Sequence, residues 1–467
     1  MMNRTDLLML CAVFLVGFVV HVYRIGYPAA PVFDEAHFAT YAADYAQGKP
    51  SFDIHPPLGK LLFAGVLRLS GYKAGTHDSF VQIVPLEGSK FLAEATRHSY
   101  GDFPFVLLRV VSALFGAVLP ILFYFVLRHT GFGKLAAILG SCLVLLENAL
   151  LVQTRFIFLD GMYLTFGFAS LALYFFRSAP SPSRRGWRVP AWVSGAIWGL
   201  ALGVKLTAFT VIGPVIADMF LGAEHERQIA RRRAGIFAGV GVFVCAMTFV
   251  LGSAFVPPQE QRTVWNEFGV FDEAVPSVGA NEPRPVAVLR NAGIQALVSL
   301  SGYIGGTNNR NDDPERTTRW YDWPFMRKPM TYYFGDGTSG GDVAFSGNRI
   351  VWGLSTVAVF VALFSALALF LRSAQGKVVH ADRPMLLLGA GYLTSMLPFV
   401  FFVSRPTYSY HYLPGLLFAI GLAVWMLERE LGLAHATTTA SQRRWLIAIA
   451  LVAAAGFLIA APTTYGL

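Results

Sequence analysis

The stretch Trp198–Arg233, WGLALGVKLTAFTVIGPVIADMFLGAEHERQIARRR, decides how the chain is threaded. Two apolar runs, 190–204 and 206–221, flank Lys205, and each is short against the roughly 20 residues that a bilayer requires. Read as one broken helix, they put the closing basic cluster on the opposite side of the membrane from the other basic loops. Read as two spans, they bring AEHERQIARRR to the same side as RSAPSPSRRGWR (177–188) and ERELGLAHATTTASQRR (428–444). Cytoplasmic loops carry the excess of Lys and Arg, so the second threading is preferred.

Composition agrees with a chain that lives largely in lipid. Of 467 residues, 55% are hydrophobic and only 14% are charged, against about 25% charged in a soluble domain. Mean hydropathy is +0.51. Apolar segments near 7–23, 103–127, 135–153, 157–176, 234–255, 349–371, 384–403, 412–427 and 445–462 join the pair around Lys205, giving about eleven spans. The first, Leu7–Tyr23, reads as an uncleaved transmembrane helix, with the N-terminus cytoplasmic. The net charge of +9 falls in short loops and not in a stripe interleaved with exposed aromatics, which argues against nucleic acid as a partner. Cys11, Cys142 and Cys245 lie in apolar runs without ligand spacing and read as buried hydrophobes. The expectation is an all-α polytopic membrane protein, one domain over 1–467, in contact with membrane lipids. Two long extracytoplasmic loops cover 24–102 and 256–348. In the first, Asp34 caps an amphipathic helix over 35–46, and His-Pro-Pro at 55–57 starts another that ends at Gly71.

The polar residues that do not belong in lipid fall on one side under this threading. Asp34, Glu35 and His55 lie in the first long loop, Arg109 near the outer end of span two, and Asn148, Arg155 and Asp160 around the next outer turn. Lys205 marks another turn, and Tyr410, His411 and Tyr412 precede span ten. Each has a structural explanation: a helix cap, snorkelling cations, an Arg155–Asp160 pair, an interfacial aromatic belt. Their coincidence on one face points instead to a site. A carboxylate beside a cavity, with cations close by, suits group transfer from a lipid-phosphate donor. The carboxylate takes a proton from the attacking hydroxyl and the cations hold the departing phosphate.

FDEAHFATYAADYAQGKPSFDIHPPLGKLL, at 33–62, resembles the first luminal loop of the dolichyl-phosphate-mannose protein mannosyltransferases, a GT-C family. The likeness continues through ENALLVQTRFIFLDGMYLTF, GLALGVKLTAF, RWYDWPFMRKPMTYYF and YHYLPGLLF. It implies an inverting GT-C glycosyltransferase that moves mannose from polyprenyl-phosphate-mannose to Ser or Thr hydroxyls of a protein acceptor. By resemblance Asp34 is the base, with Glu35 beside it. Arg109 and Lys205 are assigned as donor-phosphate cations and Arg155 as a further one. His55 orders the first loop or positions the acceptor, and Tyr410 and His411 close the donor pocket. The segment 256–348 is too short for the β-trefoil MIR domain of eukaryotic members, so a bacterial-type enzyme of the plasma membrane is expected. Two alternatives are a GT-C transferase that modifies lipid A or a cell-wall glycan with another lipid-linked sugar, and a transporter. No metal site is assigned. A divalent cation held by Asp34, Glu35, His37 and His55 stays open on paper, although their spacing is no metal signature.

Overall fold

Each of these apolar runs is helical. The computed structural model describes the chain apart from residues 1–3, 52, 74–78, 87–89, 96–97, 177–187, 268–274, 280, 306–307, 310–316, 376–381 and 434–438. Most of the basic loop 177–188, and parts of 372–383, 428–444 and both long loops, therefore lie outside the described residues. In chain order the helices are α1 (Arg4–Val22), α2 (Glu35–Gln47), α3 (Leu58–Leu69), α4 (Phe105–Thr130), α5 (Lys134–Leu145), α6 (Asn148–Arg155), α7 (Asp160–Phe175) and α8 (Ala191–Val204). They continue with α9 (Gly213–Asp218), α10 (Glu224–Ala254), α11 (Pro258–Glu267), α12 (Arg284–Ile304), α13 (Arg349–Ala374), α14 (Arg383–Phe401), α15 (Leu413–Leu431) and α16 (Ala440–Tyr465).

By length and apolarity, seven of the described helices can cross a membrane, or eight if the bent pair α5–α6 is one span. This is fewer than the eleven expected, because some apolar runs form short helices. α8 has 14 residues and rises only about 21 Å at 1.5 Å per residue, less than the hydrocarbon core of about 30 Å. α5 and α6 meet at 61°, and Glu147 caps α6 by accepting the amide of Ala149 at 3.1 Å.

Lys205 does break the chain. It stands in extended backbone (φ −154°, ψ 127°) between α8 and a 3-10 turn, Leu206–Ile212, that runs into α9. Trp198 in α8 clamps the break by donating its indole N–H to Ala208 O at 2.9 Å. Small residues let α8 lie directly on α10. A Cβ on Gly199 would sit 2.4 Å from Gly241 O, backbone that cannot turn aside. Gly199→Leu is expected to separate the two helices at a cost of about 1–3 kcal/mol, read as a lower thermal inactivation temperature of the detergent-solubilised protein.

The expectation of an all-helical chain needs correcting in the loops. Val81–Leu86 (β1) and Lys90–Ala95 (β2) pair antiparallel, and Asn308–Asn309 (β3) adds in parallel to β2. Met330–Tyr333 (β4) pairs antiparallel with Val343–Phe345 (β5). This second pair matters for the site, because it holds Tyr332 buried at the end of the bundle where α2, α6, α7 and the Lys205 break converge. At the other end the connections are joined by polar contacts: Lys134 with Asp6, Glu428 with the amide of Gly133 at 2.7 Å, and Arg383 with Asp218 at 2.5 Å.

Candidate active site

Phe33, immediately before α2, has φ +44°, a left-handed conformation that costs a bulky residue about 1–3 kcal/mol. Its ring stacks on Tyr332 at 5.0 Å with 4° between planes, and Tyr408 and Tyr410 meet it edge-on at 5.8 and 6.0 Å. This aromatic contact holds the kink that sends the next two side chains in different directions.

Glu35 turns inward. It is fully buried, and Arg109 of α4 grips it with Nε to Oε1 at 2.8 Å and Nη2 to Oε2 at 2.7 Å. The amides of Ile157 and Val32 donate to the same carboxylate at 2.9 and 3.1 Å. Arg109 gives its remaining N–H groups to the carbonyls of Ile25, Pro28 and Ala30 at 2.9, 2.8 and 3.1 Å. A guanidinium has five N–H donors, and these contacts use them all. Arg109, expected among the phosphate cations, is a lock between α4, the 25–35 turn and the 156–159 turn, with no donor left for a phosphate. Glu35 is likewise committed and is not available as a base.

Asp34 does the opposite. It occupies the N-cap position of α2, but its carboxylate makes no capping bond and accepts no hydrogen bond from the described residues. The expected cap is therefore absent, which leaves the group uncommitted. Burial raises its pKa above the ordinary carboxylate value, while His37, Lys205 and His55 draw it down and Asp160 pushes it up. These four groups are its charged neighbourhood, so Asp34 and Lys205 lie at the same end of the bundle.

Lys205 pairs with Asp160, the first residue of α7, through Nζ to Oδ1 at 3.0 Å and Oδ2 at 3.2 Å. The anticipated partner of Asp160 was Arg155; the break at Lys205 supplies a nearer cation. Gln153 of α6 supports Asp160 at 3.0 Å and is itself held by the Tyr332 hydroxyl. The Lys205 ammonium also lies 5.0 Å over the ring of Tyr410. Tyr410 stacks on His411 at 4.5 Å, so both aromatic residues expected at the pocket are brought to it.

Arg155 is elsewhere. It donates to Thr464 O at 3.2 Å and Tyr23 O at 2.5 Å and stacks on Tyr465 at 4.8 Å, tying α16 to the end of α1. A different cation, Arg405, which the sequence reading did not single out, stands with Lys205 instead. Arg405 bonds His411 Nε2 from Nη2 at 3.0 Å and Tyr303 O from Nε at 3.3 Å. Its Nη1 has no acceptor among the described residues. Arg405, Lys205 and His55 line one small cleft together with Thr207, Ser299 and Tyr303. The hydroxyls of those last three are buried and hydrogen-bond nothing among the described residues. Two cations, and three residues whose buried hydroxyls have no partner among the described residues, line one cleft, a set of donors suited to an anion.

His55 faces this cleft from the first loop. Asp53 fixes it, accepting from the His55 amide at 2.9 Å and lying 3.1 Å from Nδ1. Lys60 binds both Asp53 and the carbonyl of His55. Burial, with Lys205 and Arg405 nearby, lowers the His55 pKa to about 3, so the ring is neutral near pH 7. With its proton on Nδ1 for Asp53, Nε2 is left as an acceptor. No group of three His, Cys, Asp or Glu side chains that could hold a metal occurs among the described residues.

The comparison with known sequences now bears on this geometry. Residues 11–221 match the family model "Dolichyl-phosphate-mannose-protein mannosyltransferase", and residues 296–467 match "C-terminal four TMM region of protein-O-mannosyltransferase". The chain belongs to the protein O-mannosyltransferase family of the GT-C superfamily. Both stretches that carry the site lie inside the matched segments. Mannosyltransferase 1 of Saccharomyces cerevisiae is 35% identical over 307 residues, covering 60% of this chain and 34% of that protein. Mannosyltransferase 4 of Schizosaccharomyces pombe is 30% identical over 199 residues, covering 42% of this chain and 24% of that one. The aligned segments thus span about a third or less of these relatives' own length. In fold, the chain is similar to the Saccharomyces cerevisiae Pmt1-Pmt2 complex bound to the sugar donor, with a TM-score of 0.76 at 14% identity over 100% of this chain and 91% of that one. An Archaeoglobus fulgidus oligosaccharyltransferase aligns with a TM-score of 0.51 at 12% identity, over 98% of this chain and 55% of that one. The GT-C fold and the multi-pass membrane character of the family hold for this chain.

Proposed function

We propose that the protein is an inverting mannosyltransferase that moves mannose from polyprenyl-phosphate-mannose to Ser or Thr hydroxyls of a protein, at the extracytoplasmic face of a bacterial plasma membrane. The observation that carries this reading is the uncommitted Asp34 carboxylate within electrostatic reach of Lys205 and His55, two residues of a cleft that Arg405, Thr207, Ser299 and Tyr303 also line. The hydroxyl oxygen attacks the anomeric carbon from the face opposite the phosphate, and its proton passes to Asp34. The bond between the anomeric carbon and the phosphate oxygen breaks with its electron pair going to the phosphate. Lys205, Arg405 and the hydroxyls of Thr207, Ser299 and Tyr303 hold the charge that develops there. A phosphate leaves without prior protonation, so one carboxylate suffices, where an inverting glycosidase needs two.

His55 Nε2 accepts a hydrogen bond from the sugar or the acceptor, and Tyr410 and His411 form the aromatic wall behind Lys205. The whole chain acts as one membrane domain, with 24–102 supplying the base and 256–348 covering the site. The test uses protein in vesicles with radiolabelled mannosyl-phosphoryl-polyprenol and a Thr-containing peptide. Label in the peptide is expected, whereas label confined to lipid or glycan removes the protein acceptor. In the same assay Arg405→Gln should lower kcat by roughly 10²-fold, as loss of one donor to a developing anion does elsewhere. Wild-type turnover in that variant would exclude Arg405 from the phosphate site.

A further inference from the structure

A second recess adjoins the cleft. It is an open, polar groove of about 730 Å³ lined by Thr317, Arg319, Tyr321, Asp322, Lys328 and Arg405, with Ser404, Pro406 and Thr407 at its edge. Two irregular segments that line it are joined: Thr318 N donates to Thr407 O at 2.7 Å, and Thr407 Oγ1 donates to Thr318 O at 2.5 Å. Arg405 lines both recesses, so the groove and the cleft that contains Lys205 and His55 share a wall residue. Tyr408, three residues on, touches Phe33, which precedes Asp34. The segment that lines the groove at Arg405–Thr407 therefore runs straight into the aromatic contact that precedes Asp34.

Among the described residues its charge is one-sided: Arg319, Lys328 and Arg405 stand against a single carboxylate, Asp322. That carboxylate is already engaged, accepting the amide of Arg319 at 3.2 Å and lying 3.6 Å from Arg327. Arg319 spends one N–H on the Tyr321 hydroxyl at 2.9 Å, and Lys328 reaches Thr317 O at 3.4 Å. Both side chains are otherwise exposed and keep further donors for a ligand.

We infer that this groove takes an extended polypeptide segment carrying Asp or Glu side chains close to the Ser or Thr that is modified. The inference rests on the transferase reading above and adds the acceptor's charge preference to it. An extended chain fits because the recess is an open groove and not an enclosed cavity. Carboxylates fit because the described walls offer three cations against one carboxylate that is already engaged, and complementary charge sets both the rate of encounter and the choice of partner.

The experiment compares three synthetic peptides that share a central Thr and differ in flanking residues: acidic, neutral or basic. Transfer from the mannosyl lipid is measured as kcat/KM in vesicles. The acidic peptide should exceed the basic one by roughly five- to tenfold, the size expected for two partly exposed charge pairs, and the ratio should shrink as salt is raised. Arg319→Gln with Lys328→Gln should bring the ratio to near one, and Arg319→Glu with Lys328→Glu should invert it, while KM for the lipid donor stays as in the wild type. Equal use of all three peptides by the wild-type enzyme overturns the inference and leaves the transferase reading standing. An unchanged ratio in both double variants also overturns it. Absence of label from every peptide overturns the transferase reading and this inference with it.

Discussion

Asp34→Asn should lower mannosyl transfer by roughly 10²–10⁴-fold, the usual contribution of a positioned general base, while the protein folds and melts as the wild type does. The second half of that expectation comes from geometry. The Asp34 carboxylate caps nothing and accepts no hydrogen bond from the described residues, so the amide replaces it without breaking a contact. Glu35, one residue on, is the contrast: it is fully buried and held by Arg109 and two amides. The pH profile gives an independent check. A base works only when deprotonated, so activity falls as pH drops through its pKa. Because burial raises the Asp34 pKa, the acid limb of kcat/KM should lie above the pH of an ordinary aspartate. His55, with its pKa lowered to about 3, stays neutral throughout and adds no limb near neutrality. Wild-type turnover by Asp34→Asn, measured with label in peptide, would end the case for this residue as the base.

The residues that sequence alone brought to the site share one property: they are polar groups whose position near lipid has a cost that something must offset. Lys205, Tyr410, His411 and His55 were legible for that reason, and so was the break in the chain at Lys205. What the sequence could not supply was a count of partners. Arg109 and Arg155 look like free cations until every carbonyl around them is known, and the 25–35 turn that saturates Arg109 is folded by contacts far apart in the chain. Arg405 escaped notice for the opposite reason. An arginine in a Ser-Arg-Pro turn looks like an ordinary solvated residue, and only folding sets it beside Lys205. Asp53 offered a better clue, since an acid two residues before His55 can reach back to its amide and ring. The strands β1 and β2 were missed although Glu-Gly-Ser separates two short runs, because attention to spans treated the intervening loop as helix and coil. The count of spans is harder to read, since runs such as 190–204 fold as helices of fewer than four full turns and only seven or eight of the described helices are long and apolar enough by themselves.

The Glu35–Arg109 pair yields the largest expected loss of stability. Arg109→Met keeps the side chain's length but removes all of its donors, stranding Glu35 and three backbone carbonyls inside the bundle. Removing one partner of a buried ion pair costs about 3–5 kcal/mol, because the other charge is left without compensation. The variant should therefore inactivate at a markedly lower temperature and lose the ordered 25–35 turn from which Asp34 is presented. Adding Glu35→Gln should recover part of the loss, since the stranded charge is then gone while the carbonyls stay unpaired; a double-mutant cycle on thermal stability reads this coupling. A phosphate-binding Arg109 predicts something different: unaltered melting, a raised KM for the lipid donor, and no rescue by Glu35→Gln. The two roles are thus separated by which quantity moves. If Arg109→Met melts with the wild type and only donor affinity suffers, the lock is the wrong description, and the five contacts made by this guanidinium must open when the donor binds.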